Sequence, residues 1–252
     1  SANLGAGFDV LGMALDLHLD VGIGDAPVGA RSIDRHHPTS RAFAASGATT
    51  EPTPPMWVRT SIPMGRGLGF SGAAHVGGAA LGALVRAEDR DAALVASRDL
   101  VLDVAVALEG HGDNAAASVL GGVVAWVDGS TDRSRGALPD VVTRADAVHN
   151  LGRVAQFVLA IEHDDPSLLA RATDDRLHQA VRLPEVPGAA AALDAGVSAG
   201  AWCGWLSGSG PTVAFLVDAH LADAVIASLP ETGHTKHLHI AGSGVHVLPF
   251  PE

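Results

Sequence analysis

Residues 63–73 combine glycines, a serine and an arginine in a pattern that suits the binding of a phosphate. Glycines at positions 65, 67, 69 and 72 allow tight turns and a close approach of the backbone to a ligand. Alanine, valine and leucine follow at a density that predicts a helix over 71–85. A helix N-terminus presents unpaired N–H groups and a positive dipole end, so this junction favours a compact anion. A glycine-rich turn before an ordinary core helix is the alternative.

Two other phosphate-binding patterns fit this stretch poorly. It is not a Walker loop, because no Gly-Lys-Ser/Thr follows it and the only lysine of the chain is Lys236. Gly67, Gly69 and Gly72 match the dinucleotide fingerprint G-x-G-x-x-G, with Glu88 at about the expected distance. The fingerprint needs that acid at the tip of a strand, whereas Glu88 lies in a charged break between two predicted helices. A dinucleotide-dependent dehydrogenase is thus a weaker alternative that rests on spacing alone.

Length and charge restrict the class of protein. The chain has 252 residues, enough for one large or two modest domains. Its net charge of −12 argues against binding nucleic acid or an anionic membrane, so we expect neither partner. The single cysteine, Cys203, excludes an internal disulfide and fits a reducing compartment, and the first residues lack the features of a signal peptide. A cytoplasmic location is expected.

The elements around the glycine stretch read as an α+β protein. Apolar periodicity predicts an amphipathic helix over 145–161, whose stripe contains Val148, Leu151, Ala155, Val158 and Leu159. A polar segment at 129–135 predicts a domain boundary. A long loop is expected over 26–55. Further strands are predicted at 15–20, 56–62, 119–127 and 239–247 and on both sides of 207–211, and further helices at 92–108, 166–177, 188–198 and 219–229.

Separated motifs then agree with one family. They are residues 1–9 (SANLGAGFD), 66–71 (RGLGxS), 110–114 (GHxDN) with Gly121-Gly122, 146–153 and 207–212 (SGSGPT). Together they resemble the GHMP kinases, most closely the homoserine kinases, over nearly the whole chain. The resemblance implies a two-domain fold, with a ribosomal-protein-like α+β domain at 1–130 that binds ATP and a ferredoxin-like α+β domain at 131–252. It also implies ATP-dependent phosphorylation of the hydroxyl of L-homoserine.

The resemblance assigns residues to ATP and to Mg²⁺. Ser71 would contact Mg²⁺, and Asp103 would be the second ligand, where the family usually has glutamate; the shorter side chain makes a bridging water plausible. Phe70 also departs from a usual pair of serines. The residues expected to hold the ATP phosphates are Pro63, Gly65, Arg66, Gly67, Leu68, Gly69, Ser71, Gly72 and Ala73.

The resemblance also assigns a substrate set: Asn3, Asp9, His111, Asn114, Arg153 and Arg182. The two arginines suit an α-carboxylate, and Asp9 suits the ammonium group or the orientation of the hydroxyl. Capping roles for Asn3, Asp9 and Asn114 and surface positions for the arginines are the structural alternatives. The functional alternatives are another small-molecule GHMP kinase and a non-catalytic binding protein of the same fold. A homodimer is left open by analogy.

Overall fold

The computed structural model describes residues 1–48, 52–127, 138–139, 141–231 and 233–249. They form two compact units, neither of which is a continuous stretch of chain. The first unit contains Ser1–Leu11, Arg66–Leu68 and Asp132–His237, and the second contains Gly12–Gly65, Gly69–Thr131 and Leu238–Glu252. The division into 1–130 and 131–252 stays a prediction, and the polar segment 129–135 that suggested it lies outside the described residues.

Seven strands and nine helices occur in the described part of the chain. The strands are β1 Leu11–Met13, β2 Leu19–Ile23, β3 Arg31–Ile33, β4 Met56–Thr60, β5 Val123–Ala125, β6 Cys203–Leu206 and β7 Val213–Leu216. The helices are α1 Pro38–Ala45, α2 Phe70–Leu84, α3 Arg90–Ala96, α4 Arg98–Glu109, α5 Asp113–Leu120, α6 Arg144–Glu162, α7 Gln179–Arg182, α8 Ala189–Ser198 and α9 Ala222–Ser228. None of these helices is long and apolar enough to cross a bilayer.

The second unit packs helices around α2. Its antiparallel sheet has the order β2-β4-β3, with Leu19 opposite Thr60 and Ile23 opposite Met56. The small residues of α2 let α1 approach closely, since a Cβ at Gly78 would overlap the Thr39 carbonyl oxygen. The core cluster between α1, α2, α4 and α5 includes Ala42, Val76, Ala79, Val101, Ala105 and Ala115.

Residues 238–249 complete the second unit without forming a regular strand. Ala14 N donates to Gly122 O, Gly122 N donates to Ala241 O, and Ala241 N donates to Ala14 O. Residues 238–249, all of which are described, form one isolated bridge, between Ile240 and Leu15, so the strand predicted at 239–247 is wrong. Gly244 packs where a Cβ would overlap the Val119 carbonyl oxygen, which favours an irregular path over an alternating strand.

The first unit contains α6 to α9 and the β6-β7 hairpin. Helix α6 is present as predicted, but its apolar stripe is not the buried face. Val148 and Leu151 are 62% and 70% exposed, whereas Asn150, Phe157 and Ala160 are buried. The prediction of the core face was therefore wrong. The helix buries Asn150, which makes hydrogen bonds, and the ring of Phe157, and it leaves the apolar stripe exposed.

Other differences concern breaks within predicted elements. The helix expected at 92–108 is divided at Ser97 into α3 and α4, and the helix expected at 166–177 shrinks to a 3-10 turn, Pro166–Arg171. The loop expected over 26–55 contains β3 and α1, which His37 caps by accepting from Thr39 N. The strand expected at 119–127 is reduced to β5 by the end of α5. A periodicity pattern does not weigh local caps such as that of His37.

Candidate functional site

Helix α2 begins directly after the glycine stretch. Its N-cap is Gly69, which has a left-handed backbone (φ 76°) and no side chain to cap the first-turn N–H groups. Gly65 and Gly67 are left-handed as well, a conformation that glycine adopts without strain. Arg66, Gly67 and Leu68 belong to the first unit, whereas Gly65 and residues from Gly69 onward, Gly72 and Ala73 among them, belong to the second.

Ser71 in the first turn of α2 contacts a carboxylate from α4. Ser71 Oγ donates to Glu109 Oε1 at 2.5 Å, and His75 Nδ1 lies 2.5 Å from the same oxygen. The Glu109 side chain is 8% exposed. Burial raises its pKa, but the hydrogen bonds from His75 and Ser71 and the nearby histidine charges lower it further, so the pKa lies below the ordinary glutamate value. The structure thus holds an anionic carboxylate beside Ser71.

Asp103 lies elsewhere on α4. It is exposed and precedes Glu109 by six residues, roughly 9 Å along the helix axis. The acidic partner of Ser71 in the described part of the chain is therefore Glu109. In the described residues Asp103 makes no contact with Ser71 that would support the metal role expected for it.

His111, Asp113 and Asn114 follow Glu109 at the start of α5. His111 Nδ1 donates to Asp113 Oδ1 at 2.8 Å, and Asn114 N donates to the same oxygen at 2.7 Å. His111 Nε2 lies 3.9 Å from Glu109 Oε2, so the two acids flank the imidazole. A Cβ at Gly69 would lie 3.2 Å from Asn114 Oδ1. The second unit therefore brings Gly69, Ser71, Glu109, His111 and Asn114 together.

In the first unit, Asn3 and Asp9 have strained backbones. Their φ angles are 70° and 58°, in the left-handed region that residues with a side chain rarely adopt. Asn3 Oδ1 accepts from Asp9 N at 3.2 Å, and Asn3 Nδ2 donates to Gly208 O at 3.1 Å. Arg182 Nη1 donates to the same carbonyl at 3.2 Å. The first unit thus brings Asn3, Asp9 and Arg182 together.

Buried polar groups hold the loop 1–9 in this shape. Asn150 Nδ2 donates to Ala6 O at 3.0 Å and to Asp175 Oδ1 at 2.7 Å, and His178 Nε2 donates to Gly5 O at 2.9 Å. Burial raises the pKa of Asp175, but the charge of His178 and several hydrogen bonds lower it below the ordinary aspartate value. Asp175 therefore remains an anion that caps the start of α7.

Arg153 stands apart from these contacts. Its Nη1 donates to Gln156 Oε1 at 2.7 Å, one turn along the same helix. Its Nε is buried and has no hydrogen-bond partner among the described residues. The structure does not join Arg153 to Asn3 and Arg182 by a hydrogen bond within the described ranges, and its substrate role stays a prediction.

Glu109 and His75 were missed from the sequence. Both carried a detectable signal. His75 lies four residues after Ser71, a spacing that places two side chains on one helix face, and Glu109 immediately precedes the motif 110–114. Asp175 also carried a local signal, because an aspartate shortly before a helix can accept from its first N–H groups. His178 lacked one, because its contact with Gly5 spans 173 positions.

Two family models match the chain. The model described as GHMP kinases N terminal domain matches residues 38–122, and the one described as GHMP kinases C terminal matches residues 157–235. The chain belongs to the GHMP kinase family. As a GHMP kinase it has the mixed α+β fold of that family and is an ATP-dependent kinase, which confirms the resemblance inferred from the motifs.

Individual relatives cover nearly all of this GHMP kinase. The homoserine kinase of Desulfitobacterium hafniense is 36% identical over 95% of this chain and 93% of its own length. That of Thermus thermophilus is also 36% identical, over 90% and 88%. A solved structure from Listeria monocytogenes is 28% identical over 100% of this chain and 97% of its own, with a TM-score of 0.77. Homoserine kinase from Cytophaga hutchinsonii, at 23% identity and a TM-score of 0.67, shows the shared fold.

The dehydrogenase alternative is wrong. Besides family membership, the position of Glu88 excludes it, because Glu88 is exposed in the bend between α2 and α3 and does not follow a strand. Of the three glycines that matched the fingerprint, Gly67 and Gly69 precede α2 and Gly72 lies in its first turn.

Proposed function

We propose that this protein is a homoserine kinase, which transfers the γ-phosphoryl group of ATP to the side-chain hydroxyl of L-homoserine and yields O-phosphohomoserine. The observation that carries the kinase chemistry is the buried carboxylate of Glu109 held against Ser71 at the uncapped start of α2. The choice of substrate is supported by homoserine kinases of up to 37% identity that span most of the chain. The same reaction supplies a precursor of threonine.

We propose that the glycine stretch and the first turn of α2 hold the ATP phosphates. The N–H groups after Gly69 lack a side-chain cap and present the positive end of the helix dipole. The hydroxyl of Ser71 and the carboxylate of Glu109 are oxygen donors of the kind that Mg²⁺ prefers, so they fit a magnesium ion. In such an enzyme the ion neutralises charge on the transferred phosphoryl group. Glu109 replaces Asp103 in this proposal.

The residues expected to bind homoserine keep their proposed roles. Arg153 and Arg182 can pair with the α-carboxylate, Asp9 with the ammonium group or the hydroxyl, and the amides of Asn3 and Asn114 can fix direction. His111, held by Asp113, can offer Nε2 to a polar group. Cytoplasmic location and a homodimer also stay predictions.

We infer that positioning supplies most of the catalysis. Phosphoryl transfer passes through a loose transition state, so an oriented hydroxyl and stabilised phosphoryl oxygens account for much of the rate. Asp9 is proposed to orient the hydroxyl. Its left-handed backbone sets the direction in which its side chain leaves the main chain. A strong base is not required.

A coupled kinase assay with L-homoserine and with mevalonate tests the proposal. We expect L-homoserine to be the better substrate by at least about tenfold in kcat/KM, because mevalonate has no ammonium group for Asp9. Arg153→Ala should raise KM for L-homoserine by at least about tenfold and leave KM for ATP nearly unchanged. Equal use of both substrates, or a loss of ATP affinity in Arg153→Ala, would overturn the substrate assignment.

A further inference from the structure

His75 is a buried histidine in an otherwise apolar stretch of α2. It is 3% exposed, and the residues that follow it into the core are Val76, Ala79 and Ala80. It lies four positions after Ser71, so both side chains point to the same face of the helix. That face meets Glu109 at the end of α4.

The carboxylate of Glu109 is held from two directions by α2. Ser71 Oγ and His75 Nδ1 both lie 2.5 Å from Oε1, so one oxygen accepts two hydrogen bonds from donors on successive turns. A glutamate side chain has several rotatable bonds, and a carboxylate with a single partner can still rotate. Two donors on one rigid helix fix both the position of Oε1 and the direction of Oε2.

The other nitrogen of His75 indicates that packing alone does not explain the residue. Nε2 is buried and has no hydrogen-bond partner among the described residues. A buried polar atom without a partner costs about 1–3 kcal/mol. An aliphatic side chain would fill this position without that cost, so the compensating gain must come from Nδ1 and its contact with Glu109.

We propose that His75 is a positioning residue that presets the Glu109 carboxylate for the divalent metal ion that accompanies ATP. The inference rests on the proposed function, which assigns that ion to Ser71 and Glu109. Hydrogen bonds to a metal-ligating group orient it before the ion arrives, and their loss typically costs ten- to a hundredfold in metal affinity. His75 itself touches neither the ion nor the substrate in this proposal.

Two substitutions separate the hydrogen bond from the packing. His75→Asn keeps an N–H donor at about the position of Nδ1 and removes the rest of the ring, whereas His75→Leu keeps the apolar volume and removes the donor. Each variant is titrated by calorimetry with adenylyl imidodiphosphate, a nonhydrolysable ATP analogue, in excess Mg²⁺ and in excess EDTA. The ratio of the two affinities measures the contribution of the ion.

We expect this ratio to fall at least about tenfold in His75→Leu and to stay within about threefold of wild type in His75→Asn. The affinity in EDTA should be the same in all three proteins. If His75→Leu does not fold, as thermal unfolding will show, His75→Met replaces it as the variant without a donor.

The outcomes are distinct. A wild-type ratio near one would overturn the metal role of Ser71 and Glu109, and the present inference with it. A wild-type ratio well above one that His75→Leu or His75→Met preserves would overturn the inference alone. Equal losses in the leucine and asparagine variants would also overturn it, because they would assign the effect to the shape of the ring.

Discussion

Glu109 illustrates how a single carboxylate can be buried and still carry its charge. Burial disfavours the anion, but three polar neighbours reverse that effect and lower the pKa of the group. Ser71 and His75 donate hydrogen bonds to its Oε1, and His111 Nε2 lies 3.9 Å from its Oε2. A magnesium ligand needs this combination of permanent charge and fixed direction.

The first prediction compares the two acids of α4. Glu109→Gln keeps the size of the side chain and removes its charge, so kcat/KM for L-homoserine should fall at least about a hundredfold. Asp103→Asn should have a much smaller effect, because the side chain is exposed and distant from Ser71. The coupled kinase assay measures both. The reverse order of effects would restore Asp103 as the metal ligand.

The second prediction concerns Asp175, whose carboxylate accepts hydrogen bonds from the N–H groups of Leu177, His178 and Gln179. Asp175→Asn should lower the free energy of unfolding by about 2 kcal/mol at neutral pH, since bonds to a charged acceptor are lost. The folded-state pKa is below the unfolded one, so this stabilisation is present above about pH 4 and is lost as pH falls through the folded pKa.

Denaturant unfolding of wild type and Asp175→Asn, from about pH 7 down to about pH 3.5, measures that difference. The two curves should approach each other only at the acid end. A difference that stays constant over the range would contradict the role of the charge.

At the level of single residues, sequence identified the motifs better than the contacts. Asn3 and Arg182 both donate to the Gly208 carbonyl oxygen, whereas Ser71 contacts Glu109, which was not predicted. Asp103 was assigned as the partner of Ser71, but the structure places Glu109 there. A motif gives positions along the chain, whereas this contact depends on which turn of α4 lies against α2. The contacts of Asp175 with Asn150 and of His178 with Gly5 join distant segments, and no local pattern reports them.

Among the elements, α2 contributes most to the proposed chemistry. Its first turn is uncapped by any side chain, and its small residues let α1 and α5 approach closely. Both properties arise from glycine, which removes the Cβ atoms that would otherwise separate the helices. Gly69 and the helix that follows it therefore belong to one closely packed part of the second unit.

The third prediction tests that element. Gly69→Ala introduces a Cβ in the left-handed region, about 3.2 Å from Asn114 Oδ1, and should weaken ATP binding at least about tenfold. Gly47→Ala is the matched control, because Gly47 is also left-handed (φ 79°) but meets open space and lies after α1. It should cost a similar amount of stability and leave ATP affinity unchanged. Calorimetry and thermal unfolding measure the two quantities, and equal ATP affinities in both variants would contradict the prediction.

The helices show why periodicity identifies an element more reliably than its buried face. The bounds predicted for α2 and α6 agree with the structure within one residue at each end. The buried face of α6 differs because Asn150 is drawn inward by hydrogen bonds to Ala6 and Asp175. A hydrophobicity pattern assigns asparagine to solvent, and only the tertiary partner reverses that assignment.

For the whole molecule, the important property is that each unit is assembled from distant parts of the chain. Residues 1–11 and 132–237 share one unit, and residues 12–65, 69–131 and 238–252 share the other. A composition shift can suggest one boundary, as at 129–135, but it does not report that a segment returns to an earlier unit. The sequence therefore predicted two domains as continuous ranges.

The fourth prediction tests the returning segment. Ala241→Pro removes the N–H that donates to Ala14 O, and it should lower the free energy of unfolding by about 1–3 kcal/mol. Gly242→Ala is the control, because the added methyl group meets open space, and it should change the free energy by less than about 0.5 kcal/mol. Denaturant unfolding distinguishes them, and similar stabilities would show that the segment is dispensable.

The same segment has a consequence for biosynthesis. On the ribosome, Ala14 emerges before its partner Ala241, which follows 227 residues later (241 − 14), on the order of ten to tens of seconds at about 5–20 residues per second. The Ser1 hydroxyl likewise lacks its partner until Trp205 has emerged, because the indole Nε1 of Trp205 donates to it. Neither unit can be completed while these late residues remain in the exit tunnel. The nascent chain must therefore keep the strands that emerge first unaggregated until Trp205 and Ala241 have left the tunnel.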